Sequence, residues 1–124
     1  MKTARSFLVV ADDPERLMLV STTLHRKFPN AIVQTCRDSD AAIVVARDHT
    51  LDAIVAQRSS DLDELPLVKS LRAVTTAPIV LMSGAHQGQV ATQAGASYFL
   101  RRDQWLLVGS AVANLIGANP SRAE

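Results

Sequence analysis

Four short apolar runs in this sequence each end on residues with charged or reactive side chains. Phe7–Val10 leads into Ala11-Asp12-Asp13, and Ala53–Ala56 leads into Gln57-Arg58. Ile79–Met82 leads into Ser83-Gly84, and Tyr98–Leu100 leads into Arg101-Arg102. Carboxylates are the hard oxygen ligands that Mg²⁺ prefers, and a guanidinium makes bidentate contacts to phosphate. The set is nonetheless poor in reactive groups. Gln57 is an amide and no usable nucleophile, and Asp12, even with Asp13 beside it, makes a poor Mg²⁺ site. No other metal centre is expected from one Cys and three scattered His.

For these residues to meet, the runs must be neighbouring strands, and the pattern between them supports that. The runs, with Ala31–Val33 as a fifth, are continuous rather than alternating, which suits strands buried on both faces of a parallel sheet. Asp13 and Pro14 form a start signal for a first helix, in which Leu17, Val20, Leu24 and Phe28 recur at helical spacing before Pro29-Asn30. Further helices are expected over Ser39–Asp48, Leu65–Val74, a short Gln89–Ala94, and a last one capped by Asp103 and stopped at Gly117. Strands alternating with helices predict a doubly wound α/β sandwich with a parallel sheet. In such sheets ligands bind beyond the carboxyl ends of the strands. Two acids, an amide, a hydroxyl and a guanidinium then share one edge.

Composition narrows the classes of function. The 124 residues fit one domain, expected over 1–117, with 118–124 as a tail or the start of a linker. A 48% hydrophobic and 20% charged composition is that of an ordinary globular chain. Thirteen basic residues against twelve acidic ones, a net charge of +1, give no electrostatic argument for nucleic acid or an anionic membrane. A lone Cys36 precludes an internal disulfide and fits a reducing cytosol. Five apolar residues after Ser6 are too few for a signal peptide, and nothing reaches the roughly 20 needed to span a bilayer. The expectation is a cytoplasmic domain.

The same fragments carry a family resemblance. Phe7-Leu8-Val9-Val10-Ala11-Asp12-Asp13-Pro14 resembles the opening of CheY-like response-regulator receiver domains, where an acidic pair follows the first strand. Asp52-Ala53-Ile54-Val55-Ala56-Gln57 resembles the strand that ends in their phosphoacceptor Asp. Pro78-Ile79-Val80-Leu81-Met82-Ser83-Gly84 is similar to the strand ending in the switch Thr or Ser. Gly95-Ala96-Ser97-Tyr98-Phe99-Leu100-Arg101-Arg102 is similar to the stretch that carries an aromatic switch residue, here Phe99, and ends in a Lys. The likeness covers nearly the whole chain in order, and it implies a flavodoxin-like sandwich with the sheet order 2-1-3-4-5.

The departures decide what it implies. Gln57 stands at the acceptor position, Arg102 at the Lys, and Asp103 at the Pro that follows it. Aligned on Pro14, Ala11 takes the first acidic position and Asp12 the second; a slip by one makes Asp12 and Asp13 the pair. The Met-Pro and Gly landmarks expected after the acceptor are missing from Arg58-Ser59-Ser60-Asp61-Leu62-Asp63, and the fourth helix looks about a turn short. The resemblance therefore implies an atypical receiver with a vacant acceptor site at Gln57, an acidic pocket at Asp12 and Asp13, and switch-equivalent positions at Ser83, Phe99 and Arg102. It implies no enzymatic activity, no cofactor and no metal. Asp12 and Arg102 are expected to pair and close the pocket.

The implied role is phosphorylation-independent protein–protein interaction, with a protein partner, an attached C-terminal output domain or a second copy of the chain. Phe99 and Trp105 mark the face for it, although Trp105 also suits core packing. Alternatives are a receiver using another acceptor, such as Asp61 or Asp12, and a cyclic-dinucleotide module reading through Arg58-Ser59-Ser60-Asp61. A Ser83–His86 dyad lacks a third orienting group, and Ser83-Gly84-Ala85-His86-Gln87-Gly88 lacks the Lys and spacing of a phosphate loop.

Overall fold

The structure, a computed structural model, describes residues 4–58, 61–84 and 88–117. The expected tail, 118–124, lies outside the described residues. Five strands, β1 (Ser6–Val10), β2 (Ile32–Cys36), β3 (Ala53–Ala56), β4 (Ile79–Ser83) and β5 (Tyr98–Arg101), alternate with helices α1 (Pro14–Lys27), α2 (Ser39–Asp48), α3 (Asp61–Val74), α4 (Gly88–Ala94) and α5 (Val108–Gly117). The sheet is parallel throughout, in the order β2-β1-β3-β4-β5. This is the expected doubly wound α/β sandwich.

The continuous apolar runs have their reason in the layering. Every residue of β3 and β4 is buried, so each strand needs apolar side chains on both faces. Leu8, Val10, Ile54, Ile79 and Leu81 belong to a core closed by α2, α3 and α4. Phe7, Val9, Val55, Val80 and Met82 belong to a second core on the other face, closed by α1 and α5. Here Phe7 and Phe28 also meet, with ring centroids 5.0 Å apart and tilted 59°. At the amino ends of the strands, Asp52 ties β1 to β3. It is 4% exposed, accepts the Ser6 N–H at 2.8 Å and lies 3.6 Å from the Arg5 guanidinium.

Local signals set the helix ends. The Asp13 carboxylate accepts the Glu15 N–H at 3.0 Å and Pro14 opens α1, as expected. His25, Arg26 and Lys27 occupy its last turn, where positive charge favours the helix dipole. Asp38 caps α2 through the N–H groups of Asp40 and Ala41. Gly95 follows α4 at φ +119°, where a Cβ would stand 3.0 Å from the Arg72 side chain. Close approach also shapes the α1–α5 packing, where a Cβ on Gly109 would meet Lys27 at 3.1 Å and the Thr23 carbonyl at 3.2 Å.

Three elements differ from expectation by more than one residue. β2 begins at Ile32, one residue later than expected, and extends three residues further, to Cys36; as an edge strand it leaves Ile32 and Thr35 exposed and so has no continuous apolar run. α3 begins at Asp61 rather than Leu65, carrying Pro66 inside it. Asp103 does not cap the last helix. The chain passes from β5 into a 3₁₀ segment, Arg102–Leu107, one residue sooner. Arg101 takes the cap position, and its N–H donates to the Gln104 side chain at 2.9 Å. Asp103 instead meets the Arg101 guanidinium at 3.3 Å.

Candidate functional site

The strand register brings the expected residues to one edge. Ala11 is buried directly after β1, and its N–H donates to the Cys36 carbonyl at 3.1 Å. Gln57 follows β3, its N–H on the Val10 carbonyl at 2.8 Å. Ser83 closes β4 in register with Arg101 on β5, which places Arg102 just beyond it. Asp13 is exposed and serves the helix cap, which leaves Asp12 as the acidic side chain turned to the pocket.

Two ion pairs organise the edge. Asp12 lies 2.8 Å from the Arg58 guanidinium, whose side chain is only 12% exposed. The Arg58 Nη1 also donates to the Arg37 carbonyl at 3.0 Å, while Arg37 Nε donates to the Asp12 carbonyl at 3.1 Å. This arginine pair binds the loop after β1 to those after β2 and β3. The second pair joins Arg102 to Glu64, with 3.7 Å between Nη2 and Oε2. Arg102 Nη2 also donates to the Arg58 carbonyl at 3.2 Å, and the guanidinium lies across Gly84, 3.6 Å from where a Cβ would stand. Its own carbonyl accepts from Arg16 Nη1 at 3.4 Å. The expected Asp12–Arg102 pair is therefore not formed. Arg58, next to Gln57 in sequence, reaches Asp12, and α3 presents Arg102 with a different carboxylate.

Glu64 is that carboxylate and is fully buried, and it accepts a hydrogen bond from the Ser83 hydroxyl at 2.6 Å. A charge enclosed so completely is retained only where hydrogen bonds and counter-charge replace its hydration. The sequence carried a signal for it. Glu64, Leu67, Val68 and Leu71 fall at helical spacing on one stripe of α3, and all four are buried. A carboxylate at the head of an apolar stripe must have partners inside. A helix expected only from Leu65 leaves Glu64 outside that stripe.

Gln57 is 7% exposed, and its Oε1 has no hydrogen-bond partner among the described residues. Phe99 is half-buried against the core under α2, α3 and α4, and Trp105 is half-buried against the core under α1 and α5. The exposed apolar side chains near them are Tyr98, Leu106 and Leu107. The Asp61 side chain, the alternative acceptor, and His86, the other half of the dyad, lie outside the described residues, as do Ser59 and Ser60 of the Arg58-Ser59-Ser60-Asp61 pattern.

The donor set does not fit Mg²⁺. Of the positions that the resemblance makes acidic, one holds Ala11 and one holds Gln57. The remaining carboxylate, Asp12, is within ion-pair distance of Arg58. A bound arginine occupies the charge that a divalent cation would need and repels the cation itself.

A separate cleft of about 600 Å³ opens at the amino ends of the strands, lined in part by Arg47, His49, Asp52, Arg72 and Thr75. Its cationic groups are engaged within the chain. Arg47 pairs with Asp48 at 2.9 Å, and Arg72 donates to the Gly95 and Thr75 carbonyls at 3.1 and 2.9 Å. This cleft is thus a less organised place than the strand-end pocket, where buried charge converges.

No family model matches the sequence, and no curated protein matches it. Solved structures do. A two-component response regulator from Clostridium difficile superposes with a TM-score of 0.77 at 24% identity, over 93% of this chain and 97% of that one. The receiver domain of the Francisella response regulator 1452 gives 0.80 at 18% identity, over 92% and 98%. The receiver domain of a sensor histidine kinase from Pseudomonas aeruginosa, with a magnesium ion coordinated in its active-site cleft, gives 0.76 at 21% identity, over 93% and 99%. At these identities the likeness establishes the fold, which is that of CheY-like receiver domains.

Proposed function

We propose that this chain is an atypical receiver module of bacterial two-component signalling that acts by protein–protein contact without being phosphorylated. It would serve in the cytoplasm, either on a separate partner or as the regulatory domain of an attached output module. The observation that carries this reading is the way charge is used at the strand-end pocket. Gln57 offers no nucleophile, Arg58 holds Asp12, and Glu64 holds Arg102 and Ser83. Each group that would receive a metal ion or a phosphoryl oxygen already has a partner from the chain itself.

The same contacts weigh against the other readings. Asp12 as an acceptor would have to leave the Arg58 guanidinium. Arg58 as a reader of cyclic dinucleotides would have to leave both Asp12 and the Arg37 carbonyl. Partner contact is best sought on β5 and the 3₁₀ segment after it, where Tyr98, Leu106 and Leu107 are exposed and Phe99 and Trp105 are half-buried, each against a different core.

Incubation with acetyl phosphate and Mg²⁺, followed by intact mass measurement, tests the proposal. The natural chain is expected to gain no phosphoryl group. An adduct of one phosphoryl group would overturn it and direct the search to Asp12, Asp13 and Asp61.

A further inference from the structure

We propose that Glu64 is the resident anion of the strand-end pocket, occupying the seat between Ser83 and Arg102 where an external oxyanion would otherwise bind, and so holding the pocket in one filled state. This rests on the reading of a phosphorylation-independent module and adds to it the residue that fixes the state. The seat has the parts an oxyanion site requires: a buried hydroxyl donor, a guanidinium, and small Gly84 beside it. Ser83 is fully buried and turns its hydroxyl to Glu64 Oε1 at 2.6 Å. Arg102 covers the other oxygen from 3.7 Å and is held there by the Arg58 carbonyl on one side and by Arg16 on its own carbonyl.

Glu64 reaches this seat because α3 delivers it on its buried stripe, ahead of Leu67, Val68 and Leu71. An exposed glutamate on a flexible loop would exchange with solvent anions. A glutamate with none of its surface exposed, anchored by the helix stripe behind it, is not displaced without moving α3. Ser83 ends β4, and its register neighbour Arg101 precedes Arg102, so one carboxylate ties together α3, β4 and the exit of β5. The strand-edge geometry that a bound anion would impose is thereby imposed by the chain. Glu64 is a positioning residue: it acts through Ser83 and Arg102 on the segment that leads to Leu106 and Leu107.

Emptying the seat tests this. Glu64→Ala should create a site for inorganic phosphate, read as a saturable rise in melting temperature against chloride at matched ionic strength. The variant is expected to bind phosphate at least about tenfold more tightly than the natural chain. Equal phosphate response in both proteins would overturn the proposal, because the seat would then be open despite Glu64. No response in a folded Glu64→Ala would overturn it too, because Ser83 and Arg102 would then form no oxyanion seat.

Should Glu64→Ala fail to fold, Glu64→Gln keeps the volume and removes the charge. The Arg102 Nη–H resonances should then lose protection from solvent exchange, since Nη2 is the atom that faces Glu64, and unchanged resonances would count against the proposal. These outcomes are separable from the failure of the functional reading. A natural chain that accepts phosphate from acetyl phosphate sinks that reading, whereas an inert chain with no seat at Glu64→Ala sinks only the inference.

Discussion

Ser83 and Gln57 are buried polar residues ending neighbouring strands, and their hydrogen bonding predicts opposite mutational outcomes. The Ser83 hydroxyl donates to a buried carboxylate, so Ser83→Ala removes a charge-assisted bond and leaves Glu64 less satisfied. A loss of about 1.5–3 kcal/mol is expected in urea unfolding. Gln57 Oε1 has no hydrogen-bond partner among the described residues, so Gln57→Met should cost less than about 1 kcal/mol or raise stability. A large loss at Gln57→Met would show that the amide is satisfied by bound water. Of these side chains, Gln57, Ser83, Arg102 and Asp12 were legible in the sequence because each directly follows an apolar run. Their partners were not. Whether Asp12 meets Arg58 or Arg102 depends on the reach of two long side chains over loops, which spacing along the chain does not encode.

Helices and strands were more legible than contacts, and the reason is periodicity. α2 and β3 fall on their expected residues because an N-cap aspartate and a fully buried run each mark a sharp boundary. β2, at the sheet edge, and the exit from β5 were displaced because half-solvated backbone tolerates polar residues and irregular turns. The turn after α4 provides a test of how tightly these connections are built. Gly95 has a backbone angle that L side chains rarely adopt, and Arg72 leaves no room above it. Gly95→Ala should destabilise the fold by about 1–2 kcal/mol, measured by chemical denaturation. A neutral result would mean that the turn relaxes to another conformation.

The two cores share one sheet, and that couples the faces of the molecule. Trp105, the one tryptophan of the sequence, packs on the α1 and α5 side, whereas Leu71 is buried on the other side, on the inner stripe of α3. Leu71→Ala should cost about 2–5 kcal/mol. Trp105 fluorescence and far-ultraviolet circular dichroism should still report a single coincident transition, shifted together. Separate transitions would mean that the faces unfold independently. The sheet order also has a consequence for synthesis. Parallel neighbours pair only after the intervening chain has closed a loop, and β5 is both the last strand made and an edge of the sheet. Arg102 arrives with it, bonded to Arg16, which is 86 residues earlier. A nascent chain that ends before Tyr98 has Glu64 without Arg102, so the contacts that join α3 to the exit of β5 form only once translation has delivered that strand.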